Sequence, residues 1–173
     1  MSKYIFYILF LVTTITSYAQ NPFELGAEYM RSFGRGHSGN RVGVRAETFQ
    51  NKNSFSAGFI YLFSSSKSYS ISKGFGLYAG YRYSFSSNIN DNTLFAGARV
   101  SFSFENFEGK TFLNSLMTTP MAELGYHMIF GDHVFTAPSI GYGYTIKITR
   151  EHNSLDEDVG KRFLPSLSAG YRF

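Results

Sequence analysis

The sequence contains neither cysteine nor tryptophan. Without cysteine there is no disulfide, no thiolate nucleophile and no lipoprotein anchor of the kind attached at a cysteine. Long hydrophobic runs are missing as well. The one apolar stretch, Tyr4 to Val12, is followed by threonines at 13, 14 and 16, and it falls well short of the roughly 20 residues that carry a helix across a bilayer. Lys3 precedes it and Ser17-Tyr18-Ala19 follow, placing small residues at the two positions a signal peptidase reads. A secretory signal peptide over 1–19 is therefore expected, leaving one domain over 20–173. Charge of either sign is also sparse and scattered. Setting Lys3 aside, 15 Lys and Arg face 12 Asp and Glu, a net charge of +3 with no basic run, so a nucleic-acid partner is not expected.

What the chain does have is Phe, Tyr and Gly: 19, 13 and 17 of them in 173 residues. Aromatic residues and glycine together favour β structure in a barrel or sandwich. From Gln20 onward, eight segments alternate in hydrophobicity with period 2, the signature of strands with one apolar and one polar face. In the last of them Phe163, Leu167, Ala169, Tyr171 and Phe173 share one parity, and Ser166, Ser168, Gly170 and Arg172 the other. The earlier strands are expected at 23–30, 41–49, 54–63, 75–85, from 93 to about 104, from about 118 to 130, and 133–148. The fifth is the clearest, with Leu94, Ala96, Ala98, Val100, Phe102 and Phe104 set against Gly97, Arg99, Ser101 and Ser103. Pro138 interrupts the seventh, where a bulge or irregularity is expected, with the first five residues turned to the other face.

The connections are expected to alternate. Polar stretches after the first, third, fifth and seventh strands (31–40, 64–73, 105–117 and 149–161) are long, whereas Gln50–Asn53, Ser86–Asn92 and a two-residue hairpin at Gly131-Asp132 are short. Both termini lie on the short-turn side. Alternation alone does not say which face is inside, but volume does. Eight strands enclose only enough room for side chains or one small ligand. Most of the strand Phe, Tyr, Leu and Ile residues cannot fit there without costly overpacking. The glycine-bearing face is the one that suits a tight interior, and the apolar face, free of charge in these segments, must point outward. Glu24, Glu28, Glu47 and Glu123 then enter the lumen with Arg41, Arg45, Arg82, Arg99, Lys147 and Arg172. Charges confined there must pair, so an ion-pair network plugging the lumen is expected. Tyr29, Tyr81, Tyr83, Tyr126, Tyr142, Tyr144 and Tyr171 face out, and those near strand ends are expected to form the aromatic girdles in place of tryptophan.

This pattern, an all-β, eight-stranded antiparallel up-and-down barrel with short turns at one end, longer loops at the other and a terminal aromatic strand, resembles the small outer-membrane barrels of the OmpA/OmpX type. The resemblance implies a monomeric transmembrane barrel in a Gram-negative outer membrane, in contact with its lipid and lipopolysaccharide. It also implies that Tyr171 and Phe173 belong to the signal read by the barrel-assembly machinery. The role implied is envelope structure or surface interaction and adhesion through the loops, without catalysis, cofactor or metal. The rival readings are a narrow porin-like channel, a soluble lipocalin-like carrier and a lipid A-modifying enzyme. For the last, His152-Asn153-Ser154 resembles the His-x-Ser pair of lipid A deacylases, but it lies in a polar loop and not on a lipid-facing strand. Asp156-Glu157-Asp158 matches no complete calcium loop. Arg35, His37, Lys67 and Lys73 are candidate contacts to lipopolysaccharide phosphates, and His127 falls on the lumen face with Glu123.

Overall fold

A computed structural model describes residues 21–34, 38–65, 73–88, 91–106, 115–148 and 160–173. The expected signal peptide, Arg35, His37, Lys67, His152 to Ser154 and Asp156 to Asp158 lie outside the described residues, as does the side chain of Lys73. The described chain forms eight strands: β1 (Phe23–Gly34), β2 (Ser38–Gln50), β3 (Asn53–Ser65), β4 (Lys73–Ser84), β5 (Thr93–Asn106), β6 (Ser115–Phe130), β7 (Val134–Lys147) and β8 (Gly160–Arg172). Each pairs antiparallel with its sequence neighbours, and β8 closes on β1 to give a closed up-and-down barrel.

The register fixes the dimensions. The row of directly paired residues that leaves β1 at Glu24 passes through Glu47, Ser56, Gly80, Arg99, Met121, Gly143 and Arg162, and returns to β1 ten residues higher, at Gly34. With a rise of about 3.3 Å per residue and a strand spacing of about 4.8 Å, eight strands with that stagger tilt by about 40° and lie about 8 Å from the axis. So narrow a lumen admits side chains and little else.

The strand faces follow the alternation. Leu25, Val44, Phe55, Leu77, Leu94, Leu124, Ile140 and Leu167 are exposed on the outer surface, while Glu24, Arg45, Ser54, Arg82, Arg99, Glu123 and Ser168 are buried inside. Outward tyrosines gather towards both ends, Tyr81, Tyr83, Tyr126 and Tyr171 near the short turns and Tyr61 and Tyr144 near the loops. Ala27, Ala57, Ala79 and Ala98 occupy the band between them.

The structure corrects several local expectations. Polar residues did not mark the end of the first strand, because β1 and β2 stay paired out to Phe33 and Ser38. Only 35–37 separate the first two strands, and the expected alternation of long and short connections is reduced. The connections 66–72 between β3 and β4 and 107–114 between β5 and β6 are no longer than 85–92 between β4 and β5, and only 148–159 before β8 is clearly longer. Extending the strands also places Arg31 and Lys161 on the outer face, both exposed near the loop end. Glu105, expected to open a loop, belongs to β5. The β6–β7 hairpin closes through Gly131, Asp132 and His133, since Phe130 pairs with Val134. It begins in the left-handed region at Gly131, φ 62, which glycine enters without steric cost. In the tight β2–β3 turn, Asn51 takes the same region with φ 55.

Pro138 neither flips a face nor creates a bulge. Val134 and Pro138 point out, Phe135, Ala137 and Ser139 point in, and pairing with β8 runs through without a shift. Only the pairing with β6 is interrupted beside Pro138, and it resumes in the same register. Similar gaps stand beside Pro120 and Pro165. A missing N–H removes a ladder bond, but the neighbouring pairs hold the register on both sides. The register does shift between Asn40 and Arg41, opposite β3.

Candidate functional site

The interior is packed by setting large side chains over glycines of nearby strands. The ring of Tyr78 lies over Gly58 and that of Phe95 over Gly125, while a Cβ on Gly26 would stand 2.8 Å from the ring of Phe135. A Cβ on Gly143 would come within 2.7 Å of that of Met121. Glycine on this face is therefore a space requirement: small and large residues alternate so that a lumen of this width can fill to native density.

At mid-height the lumen holds a continuous chain of ion pairs. Glu123 accepts from Arg82 Nε at 2.6 Å on one carboxylate oxygen and pairs with Arg99 Nη2 at 3.0 Å on the other. Arg82 reaches on to Glu47 at 3.4 Å, and Glu47 takes Arg45 at 2.8 Å and the Ser54 hydroxyl at 2.6 Å. Arg99 reaches in the other direction to Glu28 at 2.6 Å, which also accepts from the Tyr78 hydroxyl at 2.6 Å. Five strands, β1, β2, β4, β5 and β6, are tied across the axis by three carboxylates and three guanidinium groups. Two guanidinium planes also sit over rings, Arg82 over Phe95 at 4.0 Å and Arg99 over Tyr78 at 4.4 Å.

A second cluster closes the short-turn end. Glu24 receives Arg172 Nε at 3.0 Å and faces His127 Nε2 at 3.0 Å. The His127 ring lies between Phe49 and Phe135, with centroids at 5.7 and 5.6 Å. A third lies towards the loops, where Arg41 stands 4.0 Å from Glu105, itself bonded to the Ser103 hydroxyl at 2.8 Å. Lys147 is half-buried at the end of β7, opposite Met117. The structure thus joins Arg45, Glu47, Arg82, Glu123, Arg99 and Glu28 in one network, and sets Glu24 with Arg172, Arg41 and Lys147 apart from it.

Sequence reasoning did not assign Glu105, Tyr78 or Ser54 to these clusters, nor Arg162 to the buried lumen face. Parity was a usable signal, because Glu105 continues the series Arg99, Ser101, Ser103, and Arg162 continues Ser166, Ser168, Gly170, Arg172. It also missed that the lumen is not polar throughout. Met30, Ile60, Leu62, Met117, Met121 and Leu164 all point inward and are buried. Because the paired row climbs ten positions per circuit, Met30 of β1, Ile60 of β3, Met121 of β6 and Leu164 of β8 come level just above the ionic chain. Met30, Met121 and Leu164 pack together there. The ionic layer is therefore enclosed between an aliphatic layer on the loop side and the Phe49, Phe95 and Phe135 rings on the other. Among the described residues there is no group of His, Asp and Glu that could hold a metal ion.

Comparison with solved structures places this geometry. The chain matches Neisserial surface protein A with a TM-score of 0.62 at 17% identity, over 88% of this chain and 95% of that one. The fold is that of the small eight-stranded outer-membrane barrels. The N-terminal barrel domain of Pseudomonas aeruginosa OprF gives a TM-score of 0.61 at 14% identity, over 89% of this chain and 98% of the other. OprG of Pseudomonas aeruginosa gives 0.56 at 12% identity, over 88% and 96%. No protein-family model matches the sequence, and no curated protein does either.

Proposed function

We propose that the protein is exported through its signal peptide, inserted into a Gram-negative outer membrane by the assembly machinery, and resides there as a closed monomeric barrel without catalytic activity. It serves envelope structure or surface interaction through its loops and exterior, in contact with lipopolysaccharide. The outward apolar surface, bounded by tyrosines at both ends, supports the membrane reading, because water would not tolerate so continuous an exposed apolar area. Its small-barrel fold is shared with outer-membrane proteins.

The observation that carries the proposal is the enclosed ionic layer. An ion crossing the lumen would have to part Arg82 and Arg99 from Glu123 and also pass the Met30, Met121 and Leu164 contact, where nothing replaces its hydration. Two barriers of different kinds in series favour a plug over a pore, which speaks against the porin-like alternative. The test is conductance of the refolded chain in planar bilayers at neutral pH. No discrete steps are expected, and a steady open current would refute the closed lumen. A chain that stays in solution without detergent would instead end the membrane reading.

A further inference from the structure

On the outer surface, a groove of about 830 Å³ crosses β4 to β8. Its floor is made by small outward residues, Ala79, Ala98 and Pro120, and its wall by Tyr142 and Tyr144. Lys161 stands at its loop-side end, exposed and pointing outward opposite Tyr144. The groove follows the paired rows and therefore descends diagonally. With the ten-residue climb per circuit, Lys161 comes level with Phe33 and Phe104, in the outward aromatic belt near the loops, while Ala98 lies near mid-height. Tyr81 lines its lower end, so the groove spans somewhat more than one leaflet of a hydrocarbon core of roughly 25–30 Å.

We infer that this groove binds one acyl chain of a phosphorylated glycolipid of the outer leaflet, of the lipid A type, with a phosphate on Lys161. The inference rests on the outer-membrane reading above. Two features select the occupant. The cation sits at headgroup depth on the loop side, and the apolar channel begins beside it and runs down past mid-height to Tyr81, with no charged side chain at that lower end, which matches a lipid anchored from the loop side. Tyr144, paired directly with Lys161, sets an amphipathic side chain beside the cation at the same end. A second outer groove, of about 410 Å³ over Ala46 and Ala57, is lined by no outward-facing charged residue, and it provides an internal control.

The experiment uses the refolded chain in maltoside micelles and native mass spectrometry, with bisphosphorylated lipid A, its dephosphorylated form and phosphatidylglycerol as separate probes. One retained lipid A is expected. Removing its phosphates should weaken retention about fivefold and Lys161→Glu about thirtyfold, from roughly 1 kcal/mol per basic side chain near a charged headgroup, doubled on reversal. Ala98→Phe, which fills the groove from outside, should weaken it too, and Ala57→Phe should not. Equal retention in Lys161→Glu, equal effects of the two Phe variants, or phosphatidylglycerol held as tightly as lipid A would each overturn the inference. Each variant's gel mobility with and without boiling reports whether the barrel has formed. A chain that never inserts into micelles sinks the outer-membrane reading, whereas a barrel that inserts but holds no lipid sinks only the groove.

Discussion

Glu123→Gln isolates the electrostatic contribution of the lumen, because it keeps the shape of the side chain and removes its charge. In the native barrel Glu123 is shared by Arg82 at 2.6 Å and Arg99 at 3.0 Å, all three side chains being almost wholly buried. Each arginine keeps one other carboxylate, Glu47 at 3.4 Å and Glu28 at 2.6 Å. Taking one partner from a buried pair costs about 3–5 kcal/mol, since the remaining charge stays desolvated. The amide oxygen still accepts one hydrogen bond, so the lower end is expected, about 3 kcal/mol. That is roughly a hundredfold in the folding equilibrium. Equilibrium denaturant unfolding in lipid vesicles, followed by tyrosine fluorescence, measures it. Arg82→Gln should cost a similar amount, and the double variant less than the sum by about 1–3 kcal/mol, the coupling of a contacting pair. Asp132→Asn, in the exposed β6–β7 turn, is the control and should move stability by less than about 0.5 kcal/mol. If Glu123→Gln behaved like that control, the network would be an incidental arrangement and the argument for an electrostatically tied lumen would fail.

Leu124→Arg, on the outward face near mid-height, should destabilise the barrel in vesicles by about 2–4 kcal/mol; no loss in the same unfolding assay would mean that this face does not meet hydrocarbon. Gly125→Leu would drive a side chain into the ring of Phe95 and should cost about 1–3 kcal/mol or block folding, whereas Ala57→Leu on the outer face should be nearly neutral, as read by the heat-dependent gel shift. Deleting Phe173 removes the terminal ladder bonds with Phe23, at 2.8 and 3.4 Å. If Phe173 also belongs to the assembly signal, the yield of folded protein in cells should fall far more than the stability of chain refolded in vitro; equal losses in both would remove the signalling role.

How much was legible can be read from individual residues. Arg99 and Glu123 were placed in the lumen from parity and volume together, because eight strands cannot enclose the aromatic face and a charge on a lipid face costs too much for any competing register. Ile60 and Phe95 were not, since an apolar side chain is tolerated on either face and only the neighbour it covers decides. Phe95 lies inside because Gly125 leaves it room. Arg31 escaped for the opposite reason. It was read as loop from its polarity, and it is strand because pairing continues through Phe33 and Ser38.

The sequence by itself determined the number of strands, their parity and which parity faces out, since these follow from a two-residue period and from the volume that eight strands can enclose. The tertiary structure alone decided which charges meet and where the lumen is dry. Those depend on the ten-residue stagger, which carries Glu28, Arg45, Arg99 and Glu123 to one height and Met30, Ile60, Met121 and Leu164 to the next. No residue encodes that stagger locally; it exists only once β8 has closed on β1.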